Sequence, residues 1–220
     1  MKVFLGVGHG GSDPGAVANN VKEKDLNLSI ALACRDELEK HGVAVKMSRT
    51  KDENDPIGDE VKECNAYGPD FAVDIHNNAG GGDGGEVFYH HGGGKGKTLA
   101  ENILAEMVKV GQNPRGIKTR VNSQGKDYYA FIRNTSCPAV IVECAFVDNA
   151  TDLQILSTED KKKAMGVAIA KGILKTLGVE IQADKGYWKV QVGAYLYREN
   201  AVDMQKKIKA VGFDAFIVKE

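Results

Sequence analysis

Three short apolar runs, Val3–Val7, Phe71–Ile75 and Ala139–Val142, each lead into a residue that can hold a metal ion or move a proton. Val3–Gly8 and Phe71–His76 read as buried strands. Ala139–Glu143 is a β-branched run of the kind found in central parallel strands. Val43–Met47 and Glu86–His90 also read as strands, and Tyr129–Arg133 as an edge strand. Patterns of helical period alternate with them. Lys24–His41 carries Leu26, Leu28, Ile30, Ala33, Cys34 and Leu38 and closes on Gly42. Ile57–Tyr67 is a short helix. Thr98–Gln112 sets Leu99, Ile103, Leu104, Met107 and Val108 on one face, and Thr158–Leu177 is long. This alternation predicts an α/β fold, a mainly parallel sheet with helices on both faces.

The carboxyl ends of strands in such a sheet share one edge, where ligands bind. His9 follows the first run, His76 ends the second and Glu143 ends the third, so residues far apart in sequence converge there. Glu23 opens the first helix, and the flexible His9–Gly15 loop leads it back to the same edge. Two neutral imidazoles and one carboxylate make the His₂Glu set that holds a catalytic zinc and leaves a fourth position for water. Glu143 is then available as a general base. Asn77, Asn78 and the Gly80–Gly85 loop lie at this edge and are candidate substrate contacts, although such a loop also reads as flexible surface. His90 and His91 read as substrate contacts or plain surface residues rather than as further ligands.

A chain of 220 residues with a formal net charge of −1 supports one α/β domain plus something small. The near-neutral balance argues against a dominant nucleic-acid or anionic-membrane role. No apolar stretch approaches the roughly 20 residues of a membrane span. Met1-Lys2 runs straight into the first strand with no signal peptide. The expectation is synthesis in the cytoplasm, with a separate route of release to any site outside. Cys34, Cys64, Cys137 and Cys144 form no CxxC pair and read as reduced, buried side chains.

His91-Gly92-Gly93-Gly94-Lys95-Gly96-Lys97-Thr98 ends like a P-loop. The motif needs glycine where His91 stands, and a nucleotide-binding reading leaves His9, Glu23 and His76 without a role.

Taken together, Gly8–Ala16 (GHGGSDPGA), Glu23–Leu28, Ser48–Thr50, Asp74–Ala79 (DIHNNA) and Cys137–Asn149 resemble the zinc-dependent N-acetylmuramoyl-L-alanine amidases of the Amidase_3 family. The resemblance covers about residues 1–177. It implies one zinc per chain on His9, Glu23 and His76, with Glu143 as the catalytic glutamate. It implies cleavage of the amide between N-acetylmuramic acid and L-alanine in bacterial peptidoglycan, by an endolysin released through a holin or an autolysin in a sporulating mother cell. Gly6-Val7 and Glu60 depart from the family's usual Asp-Pro and arginine. A non-catalytic wall-binding protein is the alternative.

Gly178–Gly186 reads as a linker (178–186). Beyond it, Tyr187–Gly193, a helix over Glu199–Val211, and Asp214–Val218 resemble half of a SPOR domain, a family that binds peptidoglycan glycan. One βαβ half, with Trp188, Val190 and Val192 alternating, buries too little to fold alone. The expectation is a homodimer through residues 187–220.

Overall fold

A computed structural model describes residues 1–181 and 192–217. The chain divides into two units, Met1–Ile181 and Gln182–Glu220.

The first unit begins with β1 (Lys2–Val7), the two-residue strands β2 (Val17–Ala18) and β3 (Val21–Lys22), and α1 (Glu23–Lys40). Then come β4 (Ala44–Met47), α2 (Ile57–Tyr67), β5 (Phe71–Asn78), β6 (Gly85–Tyr89) and α3 (Lys95–Lys109). β7 (Pro114–Lys118), α4 (Ala130–Asn134), β8 (Ala139–Phe146), α5 (Ala150–Ile155) and α6 (Glu159–Leu177) complete it. The main sheet has six strands in the order β4-β1-β5-β8-β6-β7. β4, β1, β5 and β8 run parallel; β6 is antiparallel to β8 and parallel to β7.

Side chains alternate across each strand, and the two faces divide accordingly. Val3, Leu5, Val7, Val73, Ile75, Val140 and Val142 form one core with residues of α1, α3 and α6. Phe4, Ala72, Phe88, Ala139 and Ile141 form the other with Cys64 of α2 and Phe131 and Ile132 of α4. On that second face the alternation then places Gly6, Asp74, His76, Glu143 and Glu86, so apolar cover gives way to polar residues toward the carboxyl ends of β1, β5 and β8.

Two sequence expectations change. Residues 129–133 are not an edge strand: α4 occupies Ala130–Asn134 and buries Phe131 and Ile132. The edge belongs to β7, where Pro114 and Gly116 interrupt the apolar pattern; proline fits there because it opens an edge strand. All four cysteines are free thiols; Cys34, Cys64 and Cys144 are buried and Cys137 is half-buried.

In the second unit the helix is α7 (Arg198–Ala210). The expected strand at 187–193 lies largely outside the described residues, and 192–193 and 213–217 carry no strand. Leu196, Tyr197, Val211, Phe213 and Phe216 are exposed. No helix among the described residues is long and apolar enough to cross a membrane.

Candidate active site

Glu23 is the first residue of α1, so its carboxylate sits at the positive end of the helix, where a negative charge is favoured. It is 4% exposed and lies between two imidazoles. Its Oε2 is 3.2 Å from His9 Nε2 and its Oε1 is 3.1 Å from His76 Nδ1. Oε2 also accepts from Ala16 N at 2.9 Å, and Oε1 from Asn77 N at 3.1 Å. Burial opposes ionisation of Glu23. The His76 and His9 bonds and the Ala16 N–H outweigh it and hold the carboxyl far below its usual range.

Each imidazole has a second carboxylate on its far nitrogen. Asp13 Oδ2 is 2.8 Å from His9 Nδ1, and Asp74 Oδ2 is 3.1 Å from His76 Nε2. A proton held at those far nitrogens leaves the lone pairs of His9 Nε2 and His76 Nδ1 aimed at Glu23, the tautomers a metal ligand requires. His9 holds this pose at φ 62°, in the left-handed region that non-glycine residues rarely occupy. The Glu23 bond raises the His9 pKa. For His76 burial opposes protonation, yet Asp74 and Glu23 raise its pKa well above the ordinary value.

These ligand atoms, one from each of the three residues, lie within 4.8 Å of one another. Atoms about 2.1 Å from a tetrahedral zinc stand roughly 3.4 Å apart, close to the 3.1 and 3.2 Å observed. The donor set therefore fits a zinc ion.

Glu143 pairs with His76 on one side and Glu86 on the other, forming one row across β5, β8 and β6. Its Oε2 is buried without a hydrogen-bond partner. Burial first, then the charges of Glu23, Glu86 and Asp74, push its pKa up to about 7. Glu86 stays ionised because Lys118 and Arg115 outweigh its burial. Arg115 Nε donates to Glu86 Oε2 at 2.8 Å, and Lys118 Nζ donates to the same oxygen. Glu60, also on this face, is buried beside Asp74; burial and the Asp74 charge raise its pKa and favour its neutral form.

The two asparagines divide. Asn78 is half-buried on the Glu143 face and donates to Glu86 Oε1 at 3.0 Å. Asn77 is 2% exposed on the opposite face. Its amide donates to Asn27 Oδ1 at 2.8 Å, and Asn27 donates to Gly8 O at 2.9 Å, so Asn77 braces the site from behind. His90 and His91 stand apart, on Asp127.

The two site loops are pinned. Gly11 N donates to Asp52 Oδ1 at 2.7 Å and Lys24 Nζ to Gly11 O at 2.8 Å, which anchors the His9–Gly15 turn. Gly80 N and Gly81 N both donate to Asp148 Oδ2 at 2.8 Å, and Gly84 N to Asp152 Oδ2 at 2.9 Å. Asp13, Asp74, Asp148 and Asp152 were not singled out in the sequence. Asp74 had a signal there: it lies two residues before His76 and so shares its face.

A family model described as N-acetylmuramoyl-L-alanine amidase matches residues 3–175, and a SPOR domain model matches residues 153–219. The chain is 34% identical over 222 residues to the sporulation-specific N-acetylmuramoyl-L-alanine amidase of Bacillus subtilis (strain 168), covering 99% of this chain and 84% of that protein. Among solved structures, Cwp6 from Clostridium difficile superposes with a TM-score of 0.79 at 39% identity, over 80% of this chain and 29% of that longer one. The catalytic domain of CwlV, an N-acetylmuramoyl-L-alanine amidase from Bacillus(Paenibacillus) polymyxa var. colistinus, gives 0.73 at 28% identity, over 81% and 99%.

Proposed function

The chain belongs to the N-acetylmuramoyl-L-alanine amidase family, and from that membership we propose how its residues divide the work. The reaction is hydrolysis of the amide between N-acetylmuramic acid and L-alanine in peptidoglycan. In our reading one zinc ion per chain is held by His9, Glu23 and His76, and Glu143 is the general base. The observation that carries this is the approach of both imidazoles to Glu23, at 3.2 and 3.1 Å, with Glu143 next to His76 in the adjoining strand.

An amide resists hydrolysis because water is a weak nucleophile and an amine a poor leaving group. When bound, zinc lowers the pKa of a coordinated water to about 7 and polarises the carbonyl. Glu143 takes the proton of the attacking water on its unpartnered Oε2 and delivers it to the departing L-alanine nitrogen. Asp13 and Asp74 hold the imidazole tautomers through the far nitrogens. Asn78 and the pinned Gly80–Gly85 loop border the row that contains Glu143 and are the proposed substrate contacts.

Mass spectrometry of digested peptidoglycan tests the reading. New L-alanine amino termini are expected. New reducing sugar ends in their place mean a glycosidase, and no cleavage by metal-loaded protein favours a wall-binding protein without catalysis.

The proposed organisation is a catalytic domain at 1–177, a linker at 178–186, and a half SPOR-like wall-binding and dimerising unit at 187–220. The exposed Leu196, Phe213 and Phe216 support an apolar contact in the last unit. Light scattering of the full chain at micromolar concentration should give a dimer; a monomer rejects that part. The sporulation-specific relative favours release by mother-cell lysis over a holin.

A further inference from the structure

A second cluster of metal-type ligands, His90, His91 and Asp127, lies apart from the active site. β6 is antiparallel to β8, with Glu86 opposite Glu143 and Tyr89 opposite Val140. Following β6 from Glu86 to His90 therefore leads away from the carboxyl end of β8, by about 13 Å at roughly 3.3 Å per residue. That is far beyond the roughly 4 Å between ions that share one substrate.

Asp127 is 3% exposed and forms the floor of the cluster. Its Oδ1 accepts from His91 N at 2.9 Å, and its carbonyl accepts from Arg133 Nη1 at 2.7 Å. The carboxylate is thereby fixed with Oδ2 toward two partly exposed imidazoles. His90 Nε2 is 3.0 Å and His91 Nδ1 is 2.8 Å from that one oxygen. The rings stack with centroids 4.7 Å apart.

We infer that His90, His91 and Asp127 form a second, structural site for a transition-metal ion of the zinc, nickel or copper class. Two imidazole nitrogens and a carboxylate oxygen suit those borderline ions; magnesium and calcium favour oxygen ligands alone. In the metal-free form two N–H groups share one acceptor. An ion takes the place of both protons, and the two nitrogen–oxygen pairs, at 3.0 and 2.8 Å, need to open by only about 0.5 Å to reach tetrahedral spacing. His91 then carries its proton on the exposed Nε2. His90 carries its proton on Nδ1, which gives up the 3.0 Å bond from Gly92 N, and that N–H turns to water in its exposed turn. The bound ion clips the corner between β6 and α3 to the turn bounded by the Val121–Asp127 bridge. No residue is shared with the proposed catalytic set, so the two sites can be tested separately.

The test is metal stoichiometry of the full chain, stripped with chelator and titrated with Zn²⁺ and Ni²⁺ by calorimetry. Wild type should take two ions. The His90→Ala/His91→Ala variant should take one, and His76→Ala should still take one, at His90 and His91. Asp127→Asn, which keeps the side-chain shape, should weaken that binding at least about tenfold. In the His76→Ala background, Asp127→Asn should also abolish the Ni²⁺-induced rise in melting temperature that His76→Ala alone retains. Bound Cu²⁺ in His76→Ala should show nitrogen splittings in its electron paramagnetic resonance spectrum that vanish in the added His90→Ala/His91→Ala background. A wild-type stoichiometry of one overturns the inference, as does a second ion that survives removal of both histidines. Loss of metal in His76→Ala with none in His90→Ala/His91→Ala places no ion on His90 and His91 and overturns it too.

Discussion

Gly8 lies directly against His76: a Cβ on Gly8 would stand 2.2 Å from the imidazole Cε1 and 2.4 Å from Nε2. Glycine at this position is a matter of room for the ring. Gly8→Ala must push the imidazole off both Asp74 and Glu23. Zinc affinity should fall about 10- to 100-fold, the range seen when a ligand loses its orienting partner, and amidase activity should fall with it. Far-UV circular dichroism should stay unchanged. Wild-type zinc affinity in Gly8→Ala would mean the ring can move aside without cost.

The His9–Glu23–His76 group makes opposite predictions for stability with and without metal. Both imidazoles have pKa values raised above their ordinary 6.5, so without metal their pairing with Glu23 contributes stability that is full below 6.5. That contribution fades as pH rises through the raised values. Glu23, with its depressed pKa, contributes above about 4.5 and loses that as the solution turns strongly acidic. The contribution of these three groups to the chelated protein is therefore greatest between about pH 4.5 and 6.5, and the His9→Ala/His76→Ala double variant should lose most melting temperature in that window. Zinc competes with those same protons, so the loaded protein should instead gain stability over its chelated form as pH rises toward 8. Parallel melting profiles would remove these residues as the metal site. So would full zinc retention in His9→Ala, Glu23→Ala or His76→Ala for the residue concerned.

Glu143→Gln keeps the shape but cannot accept a proton. Turnover should drop by about 10²- to 10⁴-fold, with zinc content and melting temperature near wild type. A base works only when ionised, so kcat/KM should fall as pH drops through the Glu143 pKa. Burial sets that pKa at about 7 in the metal-free site. A nearby dication favours the carboxylate, so the acid limb of the loaded enzyme should lie at or below pH 7. A rate flat from pH 8 to 5, or zinc lost together with activity in Glu143→Gln, would take the role of base from this residue.

Residues with a strong local cause were legible in the sequence. Val3–Val7, Phe71–Ile75 and Ala139–Val142 are apolar because their strands are covered, and the first polar residues beyond them mark where cover ends. Glu23 was legible as the first carboxylate of a helix. Asp148 acts through hydrogen bonds to the Gly80–Gly81 turn, which only the fold brings near, and Asp13, four residues from His9, lies in an irregular loop where no helix or strand period marks it. Asn77 and Asn78 look alike side by side, but the two-residue period of a strand sends one to each face. Tyr129–Arg133 misled because a short apolar run suits a buried helical turn as well as a strand. β7 was hidden because Pro114 and Gly116 weaken the very signal that marks a strand.

Arg49 ties the active-site backbone together from below. It is 2% exposed and donates to four carbonyls: Val7 at 3.0 Å, Lys24 at 2.8 Å, Lys51 at 3.2 Å and Gly8 at 3.3 Å. These join the end of β1, the start of α1 and the loop after β4. A guanidinium presents donors in a planar fork, whereas a lysine ammonium concentrates three donors at one point. Arg49→Lys can meet at most some of those carbonyls. Each buried carbonyl left without a partner costs about 1–3 kcal/mol, so a loss on the order of 3 kcal/mol is expected. For a unit of this size that lowers the melting temperature by about 6–12 °C. Because the bonds are to backbone and not to the metal ligands, chelated and zinc-loaded protein should fall by similar amounts. A change within about 2 °C of wild type in both forms would show that the loop and strand end hold together without the fork.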